Sequence, residues 1–242
     1  LSEATGVAVI AGTGYYLDAS QPDEVKTLAA EQIRDRILAD LAEGEYGVRP
    51  GMIGEIGVGA DFTPAEQRSL RGALLAQRET GLVVQVHLPA WYRLGGVVAD
   101  LVDELGVDPA KVVLCHMGPS GADLDYQEGL ARRGLWIQYD MIGMEVFYAD
   151  QGVQCPSDEQ NAAWLARLLE RGHLSQLLVS QDVFLFQWSS RIGGGTEDIQ
   201  VAADDPNHEG AVLFAEHCSG CHTLDAAGAQ GSADRSLRNQ GP

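Results

Sequence analysis

Residues 82–88 read LVVQVHL and residues 111–117 read KVVLCHM. Each is a short apolar run rich in β-branched residues, too short for a globular helix and right for a strand buried on both faces. Each also carries a histidine near its C-terminal end. The cadence recurs outward from this pair in GVAVIAG (6–12), MIGEIGV (52–58), LWIQYDM (135–141) and QLLVSQD (176–182). Between the runs lie amphipathic stretches of helical period: PDEVKTLAAEQIRDRILADLAEG (22–44), TPAEQRSLRGALLAQRETG (63–81) and SDEQNAAWLARLLERG (157–172). Thr63 and Ser157 stand where N-caps belong, the latter with a capping-box partner at Gln160, and Gly44, Gly81 and Gly172 stand where helices stop. Apolar strands alternating with helices predict parallel strands in a βα-repeat fold.

Polar residues gather at the C-terminal ends of these runs: Tyr15, Tyr16, Glu55, His87, His116, Asp140 and Asp182. In a βα barrel those ends open on one face, so residues spread over the sequence converge there. Two imidazoles and two carboxylates form a ligand set for zinc, manganese or cobalt. A lone strand-end histidine is more often a hydrogen-bonded part of the scaffold; four such groups on successive strand ends favour a metal site.

Length and charge bound the remaining choices. The 242 residues suit one large domain or one domain with an appendage, and 45% hydrophobic residues supply a core. A formal net charge of −19 opposes binding to nucleic-acid backbones or anionic membrane surfaces. No apolar run is long enough to insert as a transmembrane helix. The chain starts at Leu1, without a signal-peptide pattern, and soon enters an apolar run, which suggests residues upstream. Cys115, inside an apolar run, reads as a buried reduced thiol.

The blocks GVAVIAGTGYYLD, GMIGEIGV, VVQVHLPAW, VVLCHMGPSGADLDY and LLVSQDVFL, in this order over about residues 5–195, resemble the phosphotriesterase-related family of the amidohydrolase superfamily. The resemblance implies a (β/α)8 TIM barrel with a binuclear metal centre, zinc by preference, whose metal-bound hydroxide cleaves ester, lactone or phosphotriester bonds of small molecules. It gives Glu55 the place of the metal-bridging carboxylate, a carbamylated lysine in some members. His87 and His116 become the ligands of one metal, and Asp182 becomes ligand of the other and proton shuttle. Tyr16 matches a tyrosine near the hydroxide in lactonase-like members. The family's first-strand His-x-His pair has no counterpart here, and GVAVIAG resembles the third strand. The expectation is therefore an incomplete barrel over residues 1–195, its first two strands absent, its catalysis impaired and its open edges available for association.

After Gly195 the pattern changes. Residues 196–209 read as a polar linker or junction. Residues 210–242 contain Cys-x-x-Cys-His at Cys218, Cys221 and His222, where two thiols attach haem covalently and the histidine binds iron. GAVLFAEHCSGCHTL resembles the opening of a class I cytochrome c domain, implying a short α-helical fragment, haem c as a cofactor and an extracytoplasmic location. A cytoplasmic location follows if the hydrolase body decides. The last methionine is Met144, so no later axial ligand is available in the chain. The alternatives to a hydrolase are a c-type cytochrome, or a truncated or chimeric chain joined near residue 196 with neither activity complete.

Overall fold

The computed structural model describes residues 6–44, 47–148 and 152–182, with Thr223–Leu224 and Ala229–Gln230. The chain divides into two compact units, one of Ile10–Phe147 and Gly152–Gln181, the other of Leu1–Val9, Tyr148–Gln151 and Asp182–Pro242.

The larger unit is built on parallel strands. In chain order these are β1 (Gly12–Thr13), β2 (Met52–Gly57), β3 (Val84–His87), β4 (Val112–Leu114) and β5 (Trp136–Tyr139); after the short β6 (Phe147–Tyr148) and β7 (Val153–Gln154) comes β8 (Leu177–Val179). The sheet runs β1-β2-β3-β4-β5-β8, with every neighbouring pair parallel. Sequential strands therefore lie side by side, as in one wall of a βα barrel. The connections are carried by α1 (Asp23–Lys26), α2 (Ala30–Glu43), α3 (Pro64–Thr80), α4 (Gly95–Leu105), α5 (Leu124–Arg132) and α6 (Asp158–Glu170).

The helix signals act as expected at two starts. Thr63 accepts the Glu66 N–H at 3.3 Å, and the Glu66 carboxylate accepts the Thr63 N–H at 3.1 Å. Ser157 and Gln160 exchange the same pair of bonds. Gly81 ends α3 in the left-handed conformation, φ +68°, which lacks the steric cost a Cβ would add. The stretch 22–44, read as one helix, is two: Thr27 ends α1 and Ala29 is extended, its N–H bonded to the Gln32 side chain at 2.9 Å. The first apolar run is also shorter as a strand than its pattern implies. Pairing begins at Gly12 opposite Met52, where the neighbouring strand itself begins.

One core lies between sheet and helices. Ile53, Ile56, Val84, Val86, Leu114 and Ile137 from the strands meet Ile33 and Ile37 of α2, Leu70 and Leu74 of α3, Val98 and Val102 of α4, and Leu168 of α6. Burying each Leu or Ile side chain contributes about 1.5–3 kcal/mol. Most of these side chains are completely inaccessible, so the sheet is a rigid platform for whatever its strand ends carry.

In the smaller unit, β9 (Thr223–Leu224) pairs antiparallel with β10 (Ala229–Gln230). These four residues are strand, where the cytochrome-like reading expected helix. No described helix is long and apolar enough to cross a membrane.

Candidate metal centre

β2 carries Glu55 between two glycines that the backbone requires. Gly54 has φ +124°, and a Cβ there would overlap the Gln85 carbonyl of β3. A Cβ on Gly57 would overlap the backbone of Tyr16, whose loop crosses β2 at that point. Gly57 instead donates its N–H to the Tyr15 carbonyl at 3.1 Å. Tyr15 packs against the core, which leaves Tyr16 to face the strand ends.

The Tyr16 loop is held from behind. Gln21 Nε2 donates to the Tyr16 carbonyl at 2.7 Å, and Ser69 Oγ donates to Gln21 Oε1 at 3.3 Å. The buried Glu66 carboxylate accepts the N–H groups of Asp18, Gly59 and Thr63 at 3.0–3.1 Å, tying the β1 and β2 loops together. The outcome is a Tyr16 hydroxyl 3.0 Å from His87 Nδ1.

His87 ends β3 and His116 lies two residues beyond the end of β4, both buried. Their rings meet edge to face with centroids 4.5 Å apart, and His116 Nε2 is 2.8 Å from His87 Nδ1. Glu55 Oε1 sits 3.2 Å from His116 Nε2 and 3.7 Å from His87 Nδ1. One ligand atom from each of Glu55, His87 and His116 falls within 4.8 Å of the others. The structure thus brings together four of the residues that the sequence singled out: Tyr16, Glu55, His87 and His116.

Asp140, a strand-end carboxylate given no role from sequence, completes the arrangement. Its two oxygens accept the His116 backbone N–H at 3.0 Å each, and Oδ1 lies 3.1 Å from His116 Nδ1. Gln138 Nε2 donates to Asp140 Oδ2 at 3.1 Å and reaches Cys115 Sγ at 3.9 Å. Cys115 is a buried free thiol, as its apolar setting predicted. The signal that reveals Asp140 is register: Leu114 of β4 faces Ile137 of β5, which sets the residues just past the two strands against each other.

The electrostatics differ between the two histidines. Burial pushes His87 below its ordinary value, and the hydrogen bond to Glu55 offsets this only in part. Burial acts on His116 in the same direction, but hydrogen bonds to Asp140 and Glu55 outweigh it and push the imidazole up to about 10. The difference is one of partners, since His116 is flanked by a carboxylate at each ring nitrogen and His87 shares one. Burial would raise Glu55, yet the hydrogen bonds of His116 and His87 hold it well below the usual carboxylate range. Burial, reinforced by Glu55 and Asp140, pushes the Cys115 thiol well up, which makes it a poor thiolate.

A carboxylate that remains ionised beside two converging imidazoles fits a borderline divalent cation, which relieves the crowding of donor atoms by taking their lone pairs. Glu55, His87 and His116 are the residues that would hold it. Asp182 belongs to the other compact unit, while Cys218, Cys221 and His222 lie outside the described residues.

Known proteins show the same pattern over most of the chain. A family model, the phosphotriesterase family, matches residues 1–197. The N-acetyltaurine hydrolase of Danio rerio is 32% identical over 198 residues, covering 80% of this chain and 57% of that protein. A crystal structure of a resiniferatoxin-binding protein from Rhodobacter sphaeroides is 51% identical with a TM-score of 0.76, over 80% of this chain and 55% of the other. A mutant organophosphorus hydrolase from Deinococcus radiodurans is 30% identical with a TM-score of 0.67, over 76% of this chain and 56% of the other. The chain spans a little over half the length of these relatives. The matched residues end before Cys218, so the similarity lends the cytochrome reading no support. Residues 1–197, which carry the parallel sheet and the Glu55–His87–His116 cluster, place the chain in the phosphotriesterase family.

Proposed function

We propose that this chain carries the Glu55–His87–His116 metal-ligand set of a divalent-metal-dependent hydrolase that cleaves an ester, lactone, phosphotriester or amide bond of a small molecule. The observation that carries this reading is the convergence of Glu55, His87 and His116 at the C-terminal ends of successive parallel strands. Zinc is the preferred ion for this donor set. A bound ion supplies a lowered pKa for water and polarises the carbonyl or phosphoryl oxygen under attack.

The side chains divide the remaining work. Glu55, held ionised by the two histidines, would be the anionic ligand of the ion. His87 is neutral at physiological pH and offers a lone pair without losing a proton. The Tyr16 hydroxyl, placed 3.0 Å from His87 Nδ1, would hydrogen-bond the reacting oxygen of the substrate. By the family resemblance alone, Asp182 would be a ligand of a second ion and would accept the proton released on attack. Glu55, His87 and His116 are the residues that would hold one ion.

The substrate classes come from the relatives: N-acetyltaurine brings in amides, and the organophosphorus hydrolase brings in phosphotriesters. The haem alternative rests on Cys218, Cys221 and His222 alone and draws nothing from the fold. The test is hydrolysis by the full chain of a panel of lactones, paraoxon and N-acetyltaurine, with and without added zinc, manganese or cobalt. Zinc-dependent turnover of any of them, abolished in His87→Ala, supports the reading. Absence of both metal binding and turnover overturns it.

A further inference from the structure

Among the described residues, Asp140 makes more polar contacts with His116 than any other. It receives the backbone N–H of His116 on both oxygens at 3.0 Å, it faces the ring Nδ1 at 3.1 Å, and it is itself buried. The backbone there has φ +59°, a left-handed conformation that a non-glycine residue adopts only when its surroundings hold it. Gln138 Nε2 donates to Asp140 Oδ2 at 3.1 Å, so the acceptor is itself fixed in place.

We infer that Asp140 is a positioning residue for metal capture: it holds His116 with a proton on Nδ1 and directs the Nε2 lone pair toward Glu55 and His87. The chemistry is that of acceptor and donor. With the backbone N–H and the Gln138 amide already donating to it, the carboxylate serves as acceptor, so the ring nitrogen facing it carries hydrogen. The opposite nitrogen, 3.2 Å from Glu55 and 2.8 Å from His87, is then the one that gives its lone pair to a cation. A carboxylate behind a metal-binding imidazole also makes the ligand more basic and limits its rotation, and loss of such a partner costs about 10- to 100-fold in metal affinity. Without Asp140, the ring is free to turn and the left-handed backbone loses its main restraint.

The inference rests on the metal-dependent reading above, and one experiment separates the two. Zinc affinity is measured by competition with a chromophoric chelator on the full-length wild type, Asp140→Asn, Asp140→Ala and Gln138→Ala, each shown to be folded by circular dichroism. A ¹⁵N-histidine NMR spectrum of the zinc-loaded proteins reads the His116 Nδ1–H signal. The expected result, once each affinity is corrected for the His116 proton that zinc displaces, is an affinity about 10- to 100-fold weaker in Asp140→Ala. Asp140→Asn, which retains one acceptor oxygen, falls in between, and Gln138→Ala shows the smallest loss. The Nδ1–H signal is present in the wild type and absent in Asp140→Ala. A wild type that binds zinc while both Asp140 variants match its affinity, with only their melting temperatures lowered, makes Asp140 a structural brace and overturns the inference. A wild type that binds no zinc overturns the hydrolase reading, and this inference with it. If Asp140→Ala does not fold, the same comparison with Asp140→Asn decides.

Discussion

Raising the pH from 7 to 9 should tighten zinc binding by about tenfold per pH unit, and the reason is the charge on His116. In the metal-free protein its imidazole is pushed up to about 10 by Asp140 at Nδ1 and Glu55 at Nε2, from an ordinary 6.5. That displacement corresponds to about 5 kcal/mol favouring the imidazolium. The size is reasonable: an ion pair near 3.2 Å in an effective dielectric of 20 is worth about 5 kcal/mol, and two such pairs are set against the cost of burial. The sign follows from a raised pKa. Charging His116 stabilises the metal-free fold fully below pH 6.5, and this contribution is lost as the pH rises through about 10. A cation binding at Nε2 must displace that proton, so below pH 10 each ion bound there releases one proton from His116. Glu55 is already ionised and His87 already neutral, so neither adds to the count. The assay pairs a ¹⁵N-histidine NMR titration of the metal-free chain with chelator competition from pH 7 to 9. The NMR titration separates this proton from one lost by a metal-bound water. A His116 that titrates near 6.5, with an affinity that levels off above pH 7, would refute the reasoning.

Other expectations follow from the same geometry. Tyr16→Phe removes only the hydroxyl 3.0 Å from His87, so urea unfolding should shift by about 1 kcal/mol or less while kcat falls; unchanged kcat on every hydrolysed substrate would take Tyr16 out of the site. Gly57→Ala puts a Cβ into the Tyr16 backbone and should cost about 1–3 kcal/mol in thermal or urea unfolding, together with displacement of the loop; wild-type stability would show that the loop has room to move.

The strand pattern and the site residues were legible in the sequence to different degrees. The apolar runs that contain Ile53, Val84, Val113 and Ile137 became adjacent parallel strands, because burial on both faces leaves an uninterrupted apolar signature. The caps at Thr63 and Ser157 were legible for a local reason, since each bond closes over three residues. The break between α1 and α2 was not, because apolar period continues through Leu28 while the backbone turns at Thr27 and Ala29. Glu55, His87 and His116 could be named from their strand-end positions and from the family blocks. Asp140 could be listed but not interpreted: its role depends on the offset between β4 and β5, and a register is a tertiary fact that no single segment encodes. The same holds for Glu66, which caps Thr63 and also ties two loops behind Tyr16.

The most direct measurement is metal content. The full chain, loaded with zinc and then desalted, is compared with His87→Ala/His116→Ala by inductively coupled plasma mass spectrometry. Convergence of Glu55, His87 and His116 into one ligand set predicts at least about one tightly held ion per wild-type chain and its loss in the double variant. Equal zinc in both proteins, or none in either, would contradict it.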